Sequence, residues 1–259
     1  MSQKLRILLT NDDGYDAEGL IALEQVLATH GEVWVIAPDR ERSATSNHIS
    51  IRETLDLKEV GERRYSLSGY PADCANVGFY SGVFPEFDLV VSGINHGPNL
   101  GDDVHYCGTV AAARHGAVHH VRGIAISYAA YGVEANMDRA AKWLEAWLFD
   151  HYEDVAPGIV YNINYPHEGG DASADAPFPE VRYTYQGKRT YRDEYQVEPG
   201  SAGEWQVRLK ETEFGHVKDA HSASEAVVAG HISISPLSIF TTDRRELRKW
   251  FHRARRKKS

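Results

Sequence analysis

Short apolar runs that stop at small polar loops recur along this chain, and they constrain its fold more than any other feature. Leu5 to Leu9 ends in Asn11-Asp12-Asp13-Gly14, Val33 to Ile36 in Ala37-Pro38-Asp39, and Leu89 to Val91 in a loop crowded with glycine and asparagine from Ser92 to Asp103. Runs this short and uniformly apolar are buried on both faces, as strands of a parallel sheet are. Parallel neighbours need crossovers, and helix-spaced residues supply them. Leu20, Leu23, Val26 and Leu27 follow the first run, an alanine-rich stretch from Thr109 to Val118 follows the third, and Ala140, Ala141, Leu144, Trp147 and Leu148 lie between Met137 and Phe149. With further strands at Gly123 to Ser127 and Ile159 to Ile163, residues 1–164 read as a Rossmann-like α/β domain with a mostly parallel sheet.

Other segments break that rhythm. Ile49 to Leu57 and Arg64 to Leu67 alternate apolar and polar residues, which predicts a hairpin, and Pro71 opens a helix running to Tyr80. After a Gly/Ala/Asp/Pro linker from Gly169 to Pro179, the aromatic, alternating stretch Val181 to Leu209 predicts β-hairpins. That hairpin appendage, a closing strand at Ile232 to Ile234 and a capped helix from Asp243 to Arg256 make up residues 165–259, with the appendage and the helix expected to serve oligomerisation. A homodimer or homotetramer is the expected assembly.

Charge and cysteine content exclude several classes. Of the 259 residues, Arg244 to Ser259 hold nine Lys or Arg and one acid, a net of +8; with the whole chain at −9, the remainder carries −17. Such a body binds polyanions poorly, so nucleic acid is not an expected partner, and the basic run reads as a solvated helix end that complements the helix dipole. No apolar run approaches the ~18 residues that a membrane span needs. Two cysteines, Cys74 and Cys107, make no disulfide framework, so the expectation is a reducing cytoplasm.

In open parallel sheets ligands collect at the carboxyl ends of strands, where the three polar clusters fall, so these clusters are expected to converge. Asp12 and Asp13 are adjacent carboxylates on a turn, suited to a hard divalent cation such as Mg2+ or Mn2+; alone they also read as an exposed turn. Arg40, Arg42 and Ser43 combine guanidiniums with a hydroxyl, as a phosphate site would, or as a charged surface loop would. Cys107-Gly108-Thr109 leads into a helix whose N-terminal N–H groups form an anion cradle, or simply a capped helix start.

Taken together these motifs resemble the survival protein SurE family of divalent-metal-dependent nucleotidases. The matching segments are Ile7 to Gly14, Ala37 to Ser43, Pro71 to Cys74, and Val90 to Asp103 with Gly108-Thr109-Val110; Asn162 to Pro166 and Ile232 to Leu237 resemble later family motifs. The resemblance implies hydrolysis of nucleoside monophosphates at the 5′ or 3′ position, with one metal ion on Asp12, Asp13, Ser43 and Asn95. It also implies phosphate contacts from Asn99, Cys107, Gly108 and Thr109, and makes Asp12 and Asp13 the catalytic acids, with Asp12 as base or water-orienting group. Metal-assisted attack by water needs no protein nucleophile, so Ser43 is expected as a ligand.

The chain departs from the family pattern in three places: Cys107 stands where serine is usual, exchanging a strong donor for a weak one, His115 stands where an acid is common, and Phe214 to His231 lacks the usual Gly-Thr-Asp approach to the last strand. The competing reading is a phosphate- or nucleotide-responsive signalling module without turnover, since receiver domains also hold magnesium with acids after the first strand. That reading needs an acceptor Asp after the third core strand, where this chain has Ser92-Gly93-Ile94-Asn95.

Overall fold

The computed structural model describes residues 4–130, 134–169, 176–201 and 203–256. Its centre is a nine-stranded sheet built from β1 (Leu5–Thr10), β2 (Gly31–Pro38), β3 (Leu57–Gly61), β4 (Arg64–Leu67), β5 (Leu89–His96), β6 (Arg122–Ala129), β7 (Ile159–Pro166), β8 (Val181–Tyr183) and, later in the chain, β11 (Ile232–Ser238). The spatial order is β3-β4-β2-β1-β5-β6-β7-β11-β8. The strands from β4 to β7 in that order are parallel, while β3 on β4 and β11 on β7 are antiparallel. Because β1 pairs β2 on one side and β5 on the other, the chain winds away from β1 in both directions, and a crevice opens at the ends of β1 and β5.

Strand alternation sorts the core into two layers. Ile7, Leu9, Val35 and Val91 pack with α1 (Glu18–Leu27) and α4 (Met137–Asp150), whose buried Leu23, Leu27, Leu144 and Leu148 meet them. Leu8, Ile36 and Val90 point to the other face, where Cys74 and Ala75 of α2 (Pro71–Tyr80) cover them. Val110, Ala113 and Ala117 of α3 (Gly108–Val118) pack on Ala125 and Val160. Small residues on α3 bring it close to the sheet, so the first turn of the helix lies against the end of β1.

Several boundaries differ from expectation. Residues 49–56 form no strand; pairing starts at Leu57, opposite Leu67. The polar stretch Ser92 to His96 is not loop but the end of β5, with a register shift between Ser92 and Asn95. Val181 to Tyr183, expected in a hairpin, joins the main sheet beside β11, so the sheet crosses residue 164. The short α5 (Ala223–Val228), capped by Ser222, had no helical signature in the sequence. Gly170 to Asp175 of the expected linker lie outside the described residues.

The appendage is one long hairpin, β9 (Arg189–Pro199) with β10 (Trp205–His216), paired in register from Arg189↔His216 to Pro199↔Trp205 with one irregularity between Leu209 and Glu211. Its root sits on the 3-10 turn Gly101–His105, where Gly101 is left-handed and a Cβ would lie 2.4 Å from the Arg189 backbone nitrogen. The last element, α6 (Arg244–Arg256), is capped by Asp243, whose Oδ1 accepts from the N–H groups of Arg245 and Glu246. Leu247, Trp250 and Phe251 are exposed on one side of it. Among the described residues no helix is long and apolar enough to cross a membrane.

Candidate active site

Asp12 leaves the end of β1 almost completely buried, and what surrounds it is built by α3. Thr109, itself fully buried, donates to Asp12 twice: through its backbone N–H to Oδ2 at 3.2 Å and through its hydroxyl to Oδ1. Gly108 permits this approach, since a Cβ there would lie 2.9 Å from the Asp12 Cβ and 2.8 Å from Pro71. Cys107 caps α3, its sulfur accepting from Val110 N–H at 3.4 Å, while its S–H lies 4.0 Å from Asp12 Oδ2.

These contacts oppose one another electrostatically. Burial, then the neighbouring Asp13 charge, push the Asp12 carboxyl up to about 6, against the Thr109 bonds that favour its charged form. Burial also raises Asp13, whose Oδ2 accepts from the His96 N–H at 3.2 Å. Burial first and the Asp12 charge second hold the Cys107 thiol well above its ordinary range, so it remains protonated and is no nucleophile at neutral pH.

Four of the expected residues, Asp12, Asn95, Asn99 and Cys107, line one cleft of about 550 Å³, and Ser43 joins them. Asp13 faces an adjoining depression that Ser43 and His96 also line, so Ser43 stands between the two acids' surroundings. Asn95 donates through Nδ2 to Gly97 C=O at 2.7 Å, which fixes the amide's orientation and makes Oδ1 the atom it could offer a cation. Ser43 donates to Glu41 at 2.8 Å, leaving oxygen lone pairs available. Two adjacent sunken carboxylates, a hydroxyl and an amide oxygen form an oxygen-rich donor set whose crowded negative charge a hard divalent cation would neutralise.

Other residues occupy places that the sequence did not suggest. Arg42 turns away from the cleft: its guanidinium donates to Ser68 C=O at 2.7 Å and lies over Tyr70, while its backbone N–H donates to Asp12 C=O at 2.7 Å. It shapes the loop rather than gripping phosphate. Asn99 is a hub, donating to Ser127 Oγ at 2.7 Å and accepting on its carbonyl from Asn162, Asn164 and Gln186. The cleft also has a wall from the hairpin, including Tyr191, Leu209 and Phe214, for which the sequence carried no signal beyond aromatic alternation.

The family model of survival protein SurE matches residues 7–193. The chain belongs to the SurE family. It is 38% identical over 239 residues to the 5′-nucleotidase SurE of Leptospira interrogans serogroup Icterohaemorrhagiae serovar copenhageni (strain Fiocruz L1-130), covering 92% of this chain and 94% of that protein. Against the 5′-nucleotidase SurE of Geotalea daltonii (strain DSM 22248 / JCM 15807 / FRC-32) the identity is 35% over 255 residues, 95% of this chain and 99% of the relative. The crystal structure of SurE protein from Aquifex aeolicus superposes with a TM-score of 0.80 at 30% identity, covering 94% of this chain and 97% of that one. The cleft described above therefore sits in a chain that matches SurE relatives across nearly its whole length.

Proposed function

We propose that this SurE-family chain is a divalent-metal-dependent 5′/3′-nucleotidase that hydrolyses the phosphomonoester of nucleoside monophosphates. The observation that carries the reading is the buried Asp12 carboxylate beside Asp13, gripped by the first turn of α3 at the crevice between β1 and β5. One Mg2+ or Mn2+ would be held by Asp12, Asp13, Ser43 and Asn95. When bound, such an ion supplies Lewis acidity toward the phosphoryl group and toward water.

The chain's own residues do the rest. Thr109 fixes the rotation of the Asp12 carboxylate and favours its charged form, so in this reading it orients an acid and reaches phosphate only through the helix start that it shares with Gly108. Asn99 is braced by β6, β7 and Gln186 and presents the loop edge to the phosphate; Cys107 adds a weak donor and α3 the positive end of its dipole. Asp12 and Asp13 remain the catalytic acids, with Asp12 orienting the attacking water. Two buried, free cysteines fit a cytoplasmic location. The exposed apolar side of α6, on a basic helix beside an acidic body, supports a homodimer or homotetramer.

Phosphate release from a panel of 5′- and 3′-monophosphates, after dialysis against chelator and then with Mg2+ or Mn2+ restored, tests the proposal. Activity should vanish and return, and Asp13→Asn should cost at least ~10²-fold with an unchanged circular dichroism spectrum, on the scale of losing a preorganised electrostatic group. Full turnover in excess chelator contradicts it.

A further inference from the structure

The cleft has two chemically different ends. Its floor is polar and anionic, from Asp12 to Asn99, whereas its outer wall comes from the hairpin, where Tyr191, Leu209 and Phe214 give aromatic and aliphatic surface beside one acid, Asp193. Tyr191 and Phe214 are direct partners across the β9–β10 ladder, so they share one face of the hairpin. Their rings meet edge to face, 6.1 Å apart at 80°. Phe214 and Leu209 line the cleft yet remain 51% and 49% exposed, so flat apolar surface borders a polar floor.

That wall is braced. Asp103 of the 3-10 turn accepts from Arg189 Nε at 2.8 Å on Oδ2 and from the Tyr191 hydroxyl at 2.6 Å on Oδ1. The Arg189 guanidinium, largely buried, packs 5.0 Å from the Phe214 ring centroid. One carboxylate thus ties the hairpin root to the same loop that carries Asn99 and leads to Cys107.

We propose that Tyr191, Leu209 and Phe214 form a shelf on which the nucleobase of the substrate stacks while its phosphate lies at Asp12. A ligand that fits both ends has an anionic head and a planar, weakly polar body, and the cleft volume of about 550 Å³ lies within the ~300–1,000 Å³ of small-molecule sites. Stacking on the shelf is tolerant of base identity, since every base has a π-face. The shelf therefore separates nucleotides from sugar phosphates more than one base from another. This deepens the nucleotidase reading and rests on it for the position of the phosphate.

The test uses the full chain and two probes. Adenosine, which has a base and no phosphate, is titrated into wild type, Phe214→Ala and Phe214→Trp by ligand-observed NMR. AMP and ribose 5-phosphate are compared as substrates for the same three proteins. Phe214→Ala should weaken adenosine at least about tenfold, or 1.4 kcal/mol, and Phe214→Trp should recover it. The preference for AMP over ribose 5-phosphate should fall by a similar factor, carried by KM rather than kcat. Equal adenosine affinity in wild type and Phe214→Ala, no adenosine binding to wild type, or an equal loss on both substrates overturns the shelf. If wild type hydrolyses neither ester while adenosine binding still follows Phe214, the shelf stands and the nucleotidase reading falls.

Discussion

Cys107 does at atomic scale what its position in sequence left open. Its sulfur caps α3 and its S–H faces Asp12, while the residue also packs with Val104, Val110 and Ala113, so the thiol stands between the cleft and an apolar cluster. Serine is a preferred helix cap and a stronger donor, so Cys107→Ser is expected to hold or raise both the melting temperature and kcat/KM. A lower melting temperature with unchanged kinetics would show that the thiol serves packing alone. His115 gives a second prediction. Burial first, then the charges of His119 and Arg114, lower its pKa against the opposing pull of Asp73. The unfolded chain takes up this proton near the ordinary 6.5, the folded chain only at lower pH, so acid favours unfolding. Stability present above 6.5 is lost as pH falls through the lowered value. Melting curves from about pH 7.5 to about pH 5 should therefore fall less steeply for His115→Gln than for wild type; parallel curves would assign the acid sensitivity elsewhere.

Elements were legible where their signal is local. The apolar runs of β1, β2 and β6 and the spacing of α1 and α4 reflect burial against immediate neighbours, and their positions hold to within a few residues. Legibility failed where a partner strand decides. Ile49 to Leu55 alternates like a strand but has nothing to pair with, whereas Ser92 to His96 has loop composition and is strand because β6 pairs with its far end. The candidate oxygen donors were readable because Asp12, Asp13 and Ser43 follow strand ends and Asn95 lies near the end of β5. The hairpin wall was not, because Asp103 and Arg189 meet across 86 positions of chain. That contact makes a prediction at this scale: Asp103→Ala removes the carboxylate from a largely buried cation and should cost about 3–5 kcal/mol. Amide hydrogen exchange should accelerate at the root of β9 and β10 before it does in β1 or β5, and KM should rise; uniform protection would make the contact incidental.

At the scale of the molecule, charge is segregated: a body of −17 and a terminal segment of +8 whose helix exposes Leu247, Trp250 and Phe251. Removing residues 244–259 should lower the sedimenting mass or the melting temperature while leaving kcat per chain intact, since no strand-end loop lies there. A truncated chain of unchanged size that loses affinity for nucleic acid would instead make the segment a binding arm. The hairpin has a different consequence. The candidate oxygen donors sit at the strand ends of the main sheet, and a separate two-stranded unit, tied on at its root, lines the outer part of the cleft. On the proposed reading, reaction and selection are thereby encoded in different stretches of the chain. Substitutions in the hairpin would then retune which esters are accepted and leave the strand ends untouched, so the fold is modular in the evolutionary sense as well as the architectural one.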